Sequence, residues 1–562
     1  MDLVETDDII FDDISTAAGD LTVVAGGSIT NTATATISVT QVADLTADNA
    51  GDTASITLGT GGGGDTVNFG SLTVDSDADT TIEEDSGSLF TGDSDVDGNL
   101  SLTSEGDITD DATANIDVAV NASFDAVFGG VSTITLGDDD PGNTTNFGSL
   151  TFTADANVEI SEDSDTAFAN TSSGSVLIRV NSAGAMSDFE TDPGDEITGD
   201  NLILTAVNGI GTGGAGEFIT VAVDKLDVIN TTGGSIFVED SAGGLILEDL
   251  ADGTSGNAVD GVGGAGHIRA NSPLTINSDA ITTGGMTYSA IDSAAAGDDL
   301  TVSKSISAIT VQDTTADLTL NAGDDLHINS TTHVLAATTL DLNIDAGNAD
   351  VGSGGTANIN GEIQGTTGGI TATGDTDDDI FNIDDNGDGL APNPVVVSND
   401  DGGSVDIVLS NITVNGNGGA TNTLNLDDSG ETVTAVVSIT RTGVGTGTIG
   451  AAGTDNYFDD ATGGPALTFA DVQQVNLRTG RDVTDDLTDL INVQPNKGTA
   501  FDIDGNLPEF PAAATPNVDR MNYDDAGIDA GTFATNTPTA AGVGDLTFNN
   551  GYQAVHYTSI EW

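Results

Sequence analysis

The chain contains no cysteine, which excludes a disulfide framework and any thiolate metal site. Aromatic residues make up only 4% of it, too few to fill a wide globular core. Cationic side chains are scarce too: 9 Lys and Arg stand against 91 Asp and Glu, a formal charge of −82. With no basic stripe to neutralise phosphates, nucleic acid is excluded as a partner and an anionic membrane surface is disfavoured. No stretch reaches the ~18 consecutive apolar residues of a membrane helix, so no membrane insertion is expected within this chain. Apolar spacing of i, i+3, i+4, i+7 is missing as well, which argues against amphipathic helices. Residues 1–5 (Met-Asp-Leu-Val-Glu) have neither the basic nor the apolar part of a signal peptide. If the protein is exported, its signal and any anchor are expected outside this sequence, and the chain reads as a mature fragment or one section of something longer.

What is present is a repeat. Ile56-Thr57-Leu58-Gly59, Asn68-Phe69-Gly70-Ser71-Leu72-Thr73 and Glu84-Asp85-Ser86 return 78 positions later. Their copies are Ile134-Thr135-Leu136-Gly137, Asn146-Phe147-Gly148-Ser149-Leu150-Thr151 and Glu162-Asp163-Ser164. The supra-repeat occupies residues 54–110 and 132–188. A second unit, Gly19-Asp20-Leu21-Thr22-Val23, recurs as Gly98-Asn99-Leu100-Ser101-Leu102, with looser copies from Ile178, Leu202 and Leu318. Apolar residues two apart, followed by Gly, Asp or Asn, describe short strands with one buried face separated by turns. Self-similarity at a fixed period marks a solenoid. Dividing the period at the strand signals predicts about four coils of roughly 20 residues each, stacked at ~4.8 Å. Asn68 and Asn146 fit turn residues better than a stacked asparagine ladder.

Past residue 375 the composition shifts. Most of the prolines and four of the five tyrosines (Tyr457, Tyr523, Tyr552, Tyr557) lie beyond Leu390. Proline cannot donate to a ladder, so Pro508 to Pro516 belong to loops or edges. Residues 1–375 are assigned to solenoid repeats, and 376–562 to an irregular β continuation or a separate C-terminal β domain.

The repeat motifs, with Leu100-x-Leu102-Thr103-Ser104-x-Gly106-x-Ile108-Thr109-Asp110 after them, resemble repeats of large bacterial surface proteins. That class is similar to filamentous haemagglutinin and the autotransporter adhesins, and the resemblance covers residues 15–350. It implies an all-β, right-handed parallel β-helix (a β-solenoid) on an exported protein, and it brings no catalytic residue.

Two stretches carry the Asp-x-Asp/Asn-x-Asp/Asn-Gly spacing of an oxygen-ligated calcium loop. In the first, Asp93, Asp95 and Asp97 precede Gly98; in the second, Asp384, Asn386 and Asp388 precede Gly389. Three short oxygen donors can converge when glycine makes the sharp turn, so Ca2+ is the ion such a loop would take, with plain acidic surface turns as the alternative reading. Neither loop has Glu at its twelfth position, and the second adjoins Asp375, Asp377, Asp378 and Asp379. Paired carboxylates, Glu83/Asp85 and Glu162/Asp163, are of the kind glycosidases use. Their recurrence at one repeat position argues for scaffold, since an active site is normally unique. The four histidines form no metal-ligand pattern, and no nucleophile–base arrangement stands out.

The sequence thus leads to a non-enzymatic, extracellular or cell-surface structural or adhesive protein, an acidic stalk, fibre or surface-layer component. Its expected partners are further copies of itself or surface and matrix components. A second reading is a carbohydrate- or protein-binding C-terminal region using Tyr457, Tyr523, Tyr552 and Trp562.

Overall fold

A computed structural model describes residues 1–16, 18–51, 53–60, 64–127, 129–137, 144–169, 172–189, 197–212, 218–250, 256–261, 263–303, 309–330, 332–347, 349–384, 405–428, 436–450, 457, 465–479, 489–505, 520–523, 529, 534–540, 543–558 and 560. Among them there is no helix; the regular structure is strand throughout. The chain divides into two units, Met1–Ile268 and Arg269–Trp562.

The N-terminal unit is a parallel β-helix. Ile9, Ile29, Ile56, Thr80, Leu100, Ala122 and Leu150 pair one above the next, each step being one coil. The coils are unequal: the path from Ala122 to Leu150 is longer than that from Ile9 to Ile29. Ile108, Ile134, Val158, Ile178, Leu202 and Leu226 form a second column. Ala25, Ala47, Ser76, Val96, Val118 and Phe147 form a third, and Leu21, Ala43 and Leu72 lie earlier on its first three strands. Alternation sends every second side chain inward, and Leu21, Ile29, Ile56, Leu72, Ile134 and Leu150 are fully buried. Phe124 fills the interior between Phe90 and Phe147, with ring centroids 6.4 and 5.5 Å away.

The sequence period is not a whole number of coils. Ile56 is followed in its column by Thr80, Leu100 and Ala122, yet its copy Ile134 stands in the column of Ile108 and Val158. Likewise Leu72 lies on a strand of the third column and its copy Leu150 in the first. The repeat therefore spans three coils plus one face, not the four coils expected from strand signals. Corners account for the difference, because they lengthen each coil beyond what its strands require. At the Asn-Phe-Gly corner the coil beneath bulges, between Val39 and Val42 and again between Val118 and Asn121. A Cβ on Gly148 would lie 2.4 Å from the carbonyl oxygens of Ala119 and Val120. Glycine is therefore the residue that lets this corner close.

The C-terminal unit stacks in the same way. Leu274, Leu300, Leu326, Ala357, Phe381, Leu424, Val475, Phe501 and Val555 form one continuous parallel column. The steps from Leu274 to Leu300 and on to Leu326 are equal. Later coils are far longer, above all Leu424 to Val475 and Phe501 to Val555. The added length in these two holds antiparallel excursions: Val436–Gly443 with Thr446–Ile449 in the first, and Ala534–Ala540 with Val543–Phe548 in the second. Among the described residues the column runs past position 376, from Ala357 through Phe381 to Leu424.

An asparagine ladder runs along this column. Asn382 Nδ2 donates to Asn358 Oδ1 at 2.7 Å, Asn425 Nδ2 to Asn382 Oδ1 at 2.6 Å and Asn476 Nδ2 to Asn425 Oδ1 at 2.7 Å. His327 Nδ1 meets Asn358 Nδ2 at 3.1 Å below it. Asn68 and Asn146 make no such stack: each lies within a strand, in register with Ser38 and Asp117 respectively.

Candidate functional site

The carboxylates kept between the two copies are occupied by the backbone. Phe69 N–H donates to Glu84 Oε1 at 2.9 Å, and Phe147 N–H to Glu162 Oε1 at 3.0 Å. The neighbouring Asp85 and Asp163 accept from Val67 N–H (2.8 Å) and Thr145 N–H (2.9 Å). Glu84 and Glu162 are buried, whereas Glu83 is exposed. The Glu-Asp-Ser motif is thus a staple that fixes the Asn-Phe-Gly strand one coil below. Ser88 Oγ also donates to Glu84 Oε2 at 2.6 Å. Thr166 stands in its place in the second copy, and Glu162 Oε2 has no hydrogen-bond partner. Burial, opposed only partly by the hydrogen bonds, pushes Glu162 up to about 7.

Asp93 and Asp95 do not lie in a loop, and Asp97 stands in the bend just past their strand. Asp93–Val96 is a strand, and all three aspartates are exposed. Alternate residues of a strand stand ~6.6 Å apart, so extended backbone separates carboxylates that a loop would gather. Asp93 instead accepts from Asn115 Nδ2 at 2.5 Å, and Asp95 stacks in register between Asp75 and Asp117. Partial burial, and then the charges of Asp117 and Asp97, raise the Asp95 carboxyl. Asp384 is buried just past Ile380–Ile383, while Asn386 and Asp388 lie outside the described residues.

Carboxylates do converge in the C-terminal unit, around four turns. Oxygens of Asp292, Asp345 and Asp350 lie within 4.8 Å of one another, as do those of Asp292, Asp298 and Asp324, and those of Asp345, Asp375 and Asp377. Some of these oxygens are engaged by the turns. Ser293 N–H donates to Asp298 at 2.5 Å, Gly297 and Asp298 N–H donate to Asp324 Oδ2 at 2.5 and 3.0 Å, and Gly352 N–H donates to Asp377 at 2.7 Å. Ala349 N–H reaches Asp292 Oδ2. Four buried oxygens have no hydrogen-bond partner: Asp292 Oδ1, Asp345 Oδ1, Asp345 Oδ2 and Asp350 Oδ1. Asp345 is 1% exposed and sits at a φ of 50°, a left-handed conformation that Asp tolerates. Gly347 passes so close that a Cβ there would meet Asp292 Oδ2 at 2.8 Å. Burial first, then the charges of Asp375, Asp350, Asp379 and Asp292, lift Asp345 to about 7. Asp379, itself buried, rises to about 7 chiefly from that burial.

No family model, curated protein or solved structure matches this chain.

The acidic group escapes a linear reading because its members come from separate turns, Asp292 on one and Asp345 and Asp350 on another. One signal of the stacking is nonetheless present. Ala296-Gly297-Asp298-Asp299-Leu300 returns as Ala322-Gly323-Asp324-Asp325-Leu326, and Leu300 pairs with Leu326. A repeat at one coil's length places equal residues one above another, which stacks Asp298 and Asp324.

The C-terminal tyrosines are inside. Tyr457, Tyr552 and Tyr557 are buried, and Tyr457 Oη donates to the Arg478 carbonyl at 2.8 Å. Tyr523 stacks on Phe548 at 5.6 Å, and Trp562 lies outside the described residues. Cations are also committed. Arg179, Lys225, Arg478 and Lys497 pair with Glu159, Glu248, Asp427 and Asp529 at 3.0, 2.6, 2.9 and 2.5 Å. His333 and His556 sit against Glu362 and Asp545 at 2.9 and 2.8 Å.

Proposed function

We propose that this protein is a non-enzymatic structural or adhesive component of a cell surface, an acidic β-solenoid serving as stalk, fibre or surface layer. The observation that carries the reading is the use made of the duplicated carboxylates. Glu84, Asp85, Glu162 and Asp163 each accept a backbone N–H from the neighbouring coil, the work of a scaffold that can be extended by repetition. The likeness of its repeats to those of filamentous-haemagglutinin-type and autotransporter-type surface proteins supports an exported location. The large negative charge supports it too: acidic faces keep neighbouring molecules apart and draw divalent cations. Partners of such a scaffold are further copies of itself or components of the surface and matrix.

The test is made on the producing cells. An antibody raised against the chain is expected to label intact cells, and deletion of the coding segment is expected to reduce attachment or aggregation. Labelling confined to lysed cells, with attachment unchanged, would refute the reading.

A further inference from the structure

We propose that Asp292, Asp345 and Asp350 hold a calcium ion in the C-terminal unit, with water completing its shell. The site does not depend on the surface role proposed above. It differs also from both loops read in the sequence, since it is assembled from two turns rather than one.

Three observations converge on it. The first is valence: four carboxylate oxygens of these residues are buried without any hydrogen-bond partner. Buried polar atoms are nearly always satisfied, and an unsatisfied group calls for an explanation such as an ion. None of the ion pairs among the described residues involves any of the three. The second is geometry. Donor oxygens within 4.8 Å of one another fit inside a shell of calcium–oxygen bonds of ~2.4 Å, which spans about 4.8 Å. The third is construction. Asp345 is 1% exposed and held at a φ of 50°, the Ala349 amide fixes the other oxygen of Asp292, and Gly347 leaves the space that Asp292 occupies.

Chemistry selects the ion. All donors are carboxylate oxygens, which suit hard cations and not zinc or copper. The donors come from separate turns with irregular placement, and calcium accepts irregular geometry whereas magnesium demands a near-ideal octahedron. Asp375 and Asp377 form a further group with the same Asp345, so an ion here would also tie the 345–350 turn to the 375–377 turn.

The experiment uses the full chain, stripped with EDTA and titrated with CaCl2 or MgCl2 at constant ionic strength, by calorimetry and by thermal melting. Wild type is expected to show a saturable class of calcium sites above the diffuse binding of its many surface carboxylates. At a hundredfold excess over the dissociation constant, its melting temperature should rise by about 5 °C. Asp345→Asn and Asp350→Asn should each weaken that class at least about tenfold, whereas Asp93→Asn with Asp95→Asn should leave it intact. In EDTA, Asp345→Asn should melt above wild type, because it removes a buried uncompensated charge, and in calcium it should melt below. If Asp345→Asn does not fold, Asp350→Asn decides. The proposal is overturned if both variants titrate like wild type, or if magnesium matches calcium in heat and in melting temperature. The latter results would mean that the carboxyls share protons and that the ions only screen the surface.

Discussion

At the scale of single residues, buried carboxylates set the pH response of the N-terminal unit. Glu162 is held at about 7 against an ordinary 4.5, chiefly by burial. The folded state therefore holds a proton that the unfolded chain releases. Its stabilising contribution is complete below about 4.5 and is lost as pH rises through about 7, amounting to about 3 kcal/mol. Glu84 is shifted in the same direction by the same cause. Urea titrations at pH 5 and pH 8 should accordingly show lower stability at the higher pH, and Glu162→Gln should flatten much of that difference. An unchanged slope in the variant would place the titration elsewhere. The corner glycine makes a second residue-level prediction. Gly148→Ala puts a Cβ 2.4 Å from two carbonyl oxygens, and overpacking of this kind costs about 1–3 kcal/mol. The midpoint of urea unfolding should fall accordingly, while Gly129→Ala, where a Cβ would meet nothing within 4 Å and only the left-handed backbone (φ 72°) resists, should cost less.

At the scale of elements, strands decide which residues become neighbours. Asn358, Asn382, Asn425 and Asn476 are far apart in the chain, yet parallel pairing puts them in one file. Each amide donates downward and accepts from above, so the file is satisfied only if every rung can do both. Asn425 is buried, and Asn425→Asp removes the donor to Asn382 while adding a charge. A buried acceptor left unsatisfied costs about 1–3 kcal/mol, and the charge adds to that. Asn425→Asp should therefore destabilise the C-terminal unit more than Asn425→Ala, measured as a shift in urea midpoint; equal effects would mean that the ladder is only space-filling. Period-two alternation in the sequence was enough to identify the strands and their buried residues. Asp93-Ser94-Asp95-Val96 shows one spacing that fits two local structures. Its spacing is that of a calcium loop, but Ser94 and Val96 face inward and leave Asp93 and Asp95 on the exposed face of an extended strand. Two spacings coincided there, and burial of the apolar partner decided between them.

At the scale of the whole molecule, the repeat and the coil are different lengths. Because one sequence period makes three coils and one face, each copy presents its motif on the next face round. Every strand site must then accept the same small apolar side chains, which matches a core of Ile, Leu, Val and Ala. Removal of residues 54–131, one full period, should consequently leave a folded N-terminal unit with an unchanged strand signal in circular dichroism and a cooperative melt. Loss of cooperativity would show that faces are not interchangeable.

The sequence by itself determined that the chain is all strand, that it repeats, that its coils are narrow and that its surface is acidic. All four follow from local pattern and composition: alternation, Gly/Asp turns, few aromatics and few cations. Only the tertiary structure decided which turn lies above which. Corner bulges and variable loops make the coil from Leu424 to Val475 far longer than that from Ile9 to Ile29, so vertical neighbours cannot be counted off along the chain. The convergence of Asp292, Asp345 and Asp350, and the file of asparagines, are consequences of that stacking and exist nowhere in the linear order.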